Sequence, residues 1–201
     1  MIRVFKIGQW SEFFLFDLLI IVGMILLVGA SASGKTEIAH ALTRLYGIRK
    51  AVTHTTRKMR QGEQNHVDYH FIPVEDFLDL KEKDGFVETT FYNGNYYGCS
   101  KAECGDDRCI VVDPKGVFSF LALNDPRIVT FYLRCSEKTR EERMRSRGDE
   151  EKAIASRLEN DREAFKEDRL PPCDFVLDTD VKGVEELAKE IHELYQRKLN
   201  P

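Results

Sequence analysis

Eight residues constrain this chain more than any others: Gly29-Ala30-Ser31-Ala32-Ser33-Gly34-Lys35-Thr36. They match the pattern G-x-x-x-x-G-K-[ST] and lie between segments of different periodicity. Met24 to Val28 (MILLV) is a continuous apolar run, as expected of a parallel strand buried on both faces. Lys35 to Tyr46 sets Ile38, Ala39, Ala41, Leu42 and Leu45 at helical spacing. Strand, glycine-bounded turn and helix together make a phosphate cradle. Glycine lets the backbone turn its N–H groups toward phosphate oxygens, and the helix adds its positive N-terminal end. Lys35 can reach β- and γ-phosphates, and the Thr36 hydroxyl can bind Mg²⁺.

The rest of the chain fits a layered α/β architecture. Ile110–Val112, Val129–Leu133 and Phe175–Leu177 read as further buried strands. Helical patterns cover Glu137–Arg147, Glu150–Lys166 and Val181–Leu199. Strands alternating with helices predict a parallel sheet covered on both faces, the three-layer P-loop NTPase fold. The middle is different. Val67–Ile72 and Phe86–Tyr97 are aromatic and extended, Asn93-Gly94 signals a turn, and Val74–Lys83 reads as a short helix. Residues 53–98 are therefore expected to form a mixed α/β subdomain inserted into the core.

The totals exclude several classes. A chain of 201 residues suits one domain with insertions. A net charge of -4 argues against a general nucleic-acid binder. Five cysteines with no C-x-x-C pair suggest neither a disulfide framework nor a structural zinc site. Reduced thiols and a cytoplasmic location are expected. Phe13 to Val28 is strongly apolar, but Asp17 interrupts it and its end is needed as the first core strand. Residues 1–23 are expected to be an extension, and Met24 could serve as initiator. A short membrane tether is the alternative.

A second phosphate site is suggested further on. Thr53-His54-Thr55-Thr56-Arg57-Lys58-Met59-Arg60-Gln61-Gly62-Glu63 precedes Asp68-Tyr69-His70-Phe71. Two guanidinium forks with threonine and tyrosine hydroxyls can clamp a phosphate, although such a basic run is more often a solvated loop. This stretch resembles the T-T-R-x-x-R-x-G-E…D-Y-x-F signature of guanylate kinases. The same order continues through Gly85-Phe86-Val87-Glu88, Tyr92 to Gly98, Asp113-Pro114-Lys115-Gly116, Arg143…Arg147-Gly148, Arg157 and Cys173 to Asp178. The likeness spans about residues 24–198.

The resemblance implies a Mg²⁺-dependent nucleoside monophosphate kinase that transfers the ATP γ-phosphate to GMP or dGMP. It implies a core (24–52, 99–140 and 170–198), a GMP-binding insert (53–98) and a helical lid (about 141–169). Gly29, Ala30, Ser31, Ala32, Ser33, Gly34, Lys35 and Thr36 would bind ATP, and Thr36 would also hold Mg²⁺. Arg57, Arg60, Tyr69 and Tyr97 would hold the GMP phosphate. Glu88, Thr53 and Asp113 would read the guanine. Lys35, Arg57, Arg143, Arg147 and Arg157 would act on the transferring phosphoryl group. Partners would be these small molecules, with no nucleic acid and no membrane, in a monomer or homodimer.

Some positions depart from the family pattern. Val111 replaces the first acid of an acid-x-acid pair, Cys99 a serine or threonine, His66 a glycine and Asp178 an asparagine. The stretch from Tyr97 to Asp113 is also short. Two other readings therefore stay open: a related P-loop kinase for another nucleotide or a sugar phosphate, and a non-catalytic guanylate kinase-like binding module. The intact Lys35 argues against the second.

Overall fold

The computed structural model describes residues 23–59, 62–92 and 94–200. Most of the expected N-terminal extension, together with Arg60 and Asn93, lies outside the described residues.

Strand β1 (Met24–Val28) is fully buried at every position. It is the middle of a five-stranded sheet. On one side lie β7 (Arg108–Val112) and β2 (Arg49–Lys50); on the other lie β8 (Ile128–Arg134) and β9 (Phe175–Asp178). All of these pairings are parallel. Alternate residues of β1 serve opposite faces, as strand geometry requires. Ile25 and Leu27 pack with Ile38 and Leu42 of helix α1 (Lys35–Tyr46) and with Leu187, Ile191 and Tyr195 of α6 (Val184–Leu199). Met24, Leu26 and Val28 pack with Val117 and Phe120 of α3 (Pro114–Leu121). The apolar run thus becomes the centre of a three-layer α/β core, as its uninterrupted hydrophobicity predicted.

A second sheet runs in the order β4-β3-β6-β5, from β3 (His54–Thr55), β4 (His70–Phe71), β5 (Phe86–Tyr92) and β6 (Asn95–Ser100). β5 and β6 form an antiparallel hairpin. Helix α2 (Val74–Glu82) closes one face by burying Phe77. Its ring stacks on Phe86 and Tyr96 at centroid distances of 4.5 and 5.3 Å. Helices α4 (Glu137–Ser146) and α5 (Glu151–Ala164) form a separate pair. Their small core of Met144, Ile154 and Leu158 packs against Ala32 of the glycine loop.

Three expectations need correction. Val67–Ile72 is not extended throughout: only His70 and Phe71 join the sheet. His66 takes a left-handed φ of 65°, and the Gln64 amide donates to the Asp68 carboxylate (2.7 Å), so the chain turns there and leaves Val67 exposed. Helix α3 was not anticipated, although Asp113-Pro114 is a start signal. The Asp113 carboxylate caps the helix by accepting from the Gly116 amide at 2.7 Å, and Pro114 occupies the first turn. The final helix begins at Val184, because Val181 lies in an exposed turn before it. The short link between β6 and β7 holds a single 3-10 turn, Lys101–Glu103. Among the described residues, no helix is long and apolar enough to cross a membrane.

Candidate active site

The glycine loop leaves the carboxyl end of β1, where the chain can cross to either side of the sheet. That position is where open α/β sheets bind ligands. Close approach fixes its first residue: a Cβ at Gly29 would lie 2.7 Å from both the Leu133 carbonyl oxygen and Ser33 Oγ. Gly34 has φ 97°, and Ala32 accepts the less favourable left-handed value of 58°. The turned backbone leads straight into α1, where the Ile38 amide donates to the Gly34 carbonyl at 3.0 Å. Ser33 Oγ is buried with no protein partner among the described residues.

Lys35 Nζ donates to two carbonyls of its own loop, Gly29 at 2.6 Å and Ala30 at 2.7 Å. Burial pulls its pKa down to about 8; the nearby Asp161 charge partly offsets this and Arg140 adds to it. A poorly solvated cation inside a ring of backbone dipoles is prepared to receive an anion.

The lid pair supplies further positive charge. Arg143 donates to the carbonyls of Ala32 (3.2 Å) and Thr179 (2.8 Å), pinning α4 to the loop. A cleft of about 330 Å³ opens between the loop and this region, and Lys35, Thr36, Arg143, Arg147 and Lys182 line it. Arg147 and Arg157 both donate to one oxygen of Asp149, each at 2.6 Å. Arg157 itself does not line the cleft. Arg145 pairs with Glu141 and Glu151 on the helix surface.

A second cavity, about 190 Å³, lies between the inserted sheet and β7. Thr53, Tyr69, Glu88, Tyr97 and Asp113 all line it, so five positions far apart in sequence meet there. Glu88 accepts the Cys99 amide at 3.1 Å. Burial, and then the charge of Asp113, push the Glu88 carboxyl up to about 7. Arg57 sits at the margin rather than in the lining. It forks onto Glu63 (2.8 and 3.0 Å) and lies over the rings of Tyr69 and Phe71, 5.5 and 5.4 Å from their centroids. Its guanidinium is held in place before any ligand arrives.

Sequence reasoning missed Thr90 and the apolar wall formed by Val111 in this cavity. It also missed Arg140 and Asp161 in the lid. Helix α4 is charged nearly throughout, so no periodicity marks which of its arginines is buried.

A glycine loop at the end of the central strand of a parallel sheet, a cavity between that sheet and an inserted one, and an arginine-bearing helix pair beside the loop are the parts of a P-loop nucleotide kinase. The family model for guanylate kinase matches residues 22–198. Similar chains include the guanylate kinase of Chromohalobacter salexigens, 35% identical over 147 residues, covering 69% of this chain and 68% of the relative. That of Photobacterium profundum is 35% identical over 151 residues, covering 70% and 73%. The crystal structure of guanylate kinase from Anaplasma phagocytophilum aligns with a TM-score of 0.61 at 26% identity, over 90% of this chain and 88% of that one. The chain belongs to the guanylate kinase family.

Proposed function

We infer that this enzyme transfers the γ-phosphoryl group of ATP to GMP or dGMP, releasing ADP and GDP or dGDP. The observation that carries this reading is Glu88. A half-buried carboxylate in the wall of the acceptor cavity can accept from guanine N1–H and from the 2-amino group together, a donor pair that adenine lacks. Thr53 faces the same space, and Asp113 contributes its charge while capping α3.

Around the acceptor phosphate, Arg57, Tyr69 and Tyr97 would supply donors, with Arg60 beside them in sequence. Lys35 and the loop amides would hold the β- and γ-phosphates. Arg143 and Arg147 would neutralise charge on the moving phosphoryl group, and Arg157 would orient Arg147 through Asp149. Phosphoryl transfer relies on such positioning and charge neutralisation more than on covalent help. Among the described residues, no cluster of three acids, histidines or cysteines could hold a metal alone. The exposed Thr36 at the start of α1, which lines the cleft with Lys35, would hold the ion together with substrate phosphates and water. Bound Mg²⁺ would supply charge neutralisation at the β- and γ-phosphates. A cytoplasmic monomer or homodimer acting on free nucleotides accords with this chemistry.

Glu88→Gln tests the reading. The amide cannot accept both guanine donors, so GMP should lose kcat/KM by roughly 10- to 100-fold, the range of a charged hydrogen bond. The KM for ATP should hardly move. Equal damage to both substrates would remove Glu88 from base recognition.

A further inference from the structure

Among the described residues, Arg140 and Asp161 are the only buried charged side chains, exposed by 6% and 9%. They lie on different lid helices and meet at 2.7 Å, Arg140 Nη1 to Asp161 Oδ2. A buried ion pair is seldom the cheapest way to join two helices, because desolvation offsets its attraction. An apolar pair would hold α4 to α5 as well. The pair has a further partner outside the lid. The Ser31 backbone amide donates to Asp161 Oδ2 at 2.9 Å, and the Ser31 hydroxyl donates to Oδ1 at 3.2 Å.

Ser31 is the third residue of the phosphate loop. Asp161 therefore ties the loop's backbone to α5, while Arg143 ties α4 to the next carbonyl at Ala32. Ala32 also packs against the lid's apolar core. Consecutive loop residues thus carry a charged latch, a guanidinium contact and an apolar contact, all from the lid. Both members of the buried pair are electrostatically coupled to Lys35. Arg140 keeps one buried donor, Nε, with no protein partner among the described residues.

The geometry points to Asp161 as a positioning residue of the phosphoryl transfer site, acting through Ser31 and Arg140. It sets the loop backbone and the lid arginines in one frame, so that ATP meets both in register. Without it the loop would keep its glycines and Lys35, but it would lose its tie to α5 and be held to the lid only by Arg143 and the apolar contact of Ala32. This rests on the reading of Gly29–Thr36 as the ATP site. The consequence is specific to one substrate: ATP affinity and kcat depend on Asp161, while GMP affinity does not, because the acceptor cavity touches neither residue.

The test compares wild type, Asp161→Asn and the double variant Arg140→Leu/Asp161→Ala. Removing both charges avoids leaving one buried and unpaired. Calorimetric Kd values for ATP and GMP, steady-state kinetics and thermal unfolding are measured on each. The double variant should unfold near the wild-type temperature, bind ATP at least tenfold more weakly, lose kcat and bind GMP unchanged. Asp161→Asn should move the same way, by less. Wild-type ATP affinity and kcat in a folded double variant would overturn the proposal, and so would tighter ATP binding, which would make the carboxylate a competitor of phosphate. If the double variant does not fold, the ATP and GMP shifts of Asp161→Asn decide: equal shifts overturn the proposal. Failure of the kinase reading appears separately, as wild type that binds ATP but does not phosphorylate GMP.

Discussion

Glu88 and Asp113 line one cavity, and the charge of Asp113 adds to the burial that lifts Glu88 to about 7. Its ordinary value is 4.5, so the folded protein holds this proton more tightly than the unfolded chain. The stability that the proton brings is present below pH 4.5 and is lost as pH rises through about 7. Glu88→Gln should therefore raise the unfolding temperature at pH 8 and change it little at pH 4.5. GMP binding should respond in the opposite sense in wild type. It should strengthen as pH rises from 6 to 8, because only the carboxylate accepts both guanine donors. Calorimetric titration of GMP across that range checks it.

Lys35 carries the complementary signature. Its pKa, lowered to about 8 mainly by burial, should rise when phosphate arrives. ATP binding at pH 8.5 should then take up a fraction of a proton, and at pH 6 none. Titrations in buffers of different ionisation enthalpy measure this directly. Between about pH 8 and 10.5 the unfolded chain binds more protons here, so this group favours folding as pH rises through that window. Lys35→Met should abolish turnover and raise the unfolding temperature at pH 7, since it removes a poorly solvated charge.

The lid arginines should not contribute equally. Arg147 lines the cleft beside the glycine loop, whereas Arg157 reaches it only through Asp149. Arg147→Ala should lower kcat by about 10²–10³-fold, the cost of one preorganised charge donor. Arg157→Ala should cost at least tenfold less. Neither should change the unfolding temperature appreciably, because both arginines are largely solvent-exposed.

Phe77 is completely buried and joins α2 to the β5–β6 hairpin through two ring stacks. Phe77→Ala should cost about 3–5 kcal/mol, as such core truncations do. The damage should fall on the inserted sheet first, raising the KM for GMP well before that for ATP. Chemical denaturation alongside substrate kinetics separates the two effects.

The legible parts of this protein are those where one physical constraint acts on adjacent residues. The run from Met24 to Thr36 is readable because burial, left-handed turns and helix start follow in order. The grouping of Thr53, Glu88 and Asp113 about one cavity was expected only through resemblance, since it arises where the inserted sheet faces the end of β7 and not from spacing. Arg140 and Asp161 were not legible. Their burial depends on how two charged helices pack, and surface charge hides the signal. Val67–Ile72 misled because aromatic, β-prone residues there serve a turn that His66 and Asp68 impose.

The assignment of ATP as donor and guanine nucleotide as acceptor is checked by a coupled assay of ADP release against GMP, dGMP, AMP, CMP, UMP and a sugar phosphate. Turnover with GMP and dGMP should exceed that with AMP by roughly 100-fold in kcat/KM, the order of discrimination expected when a polar group in the site loses its partner. Turnover with another acceptor and none with GMP or dGMP would contradict it.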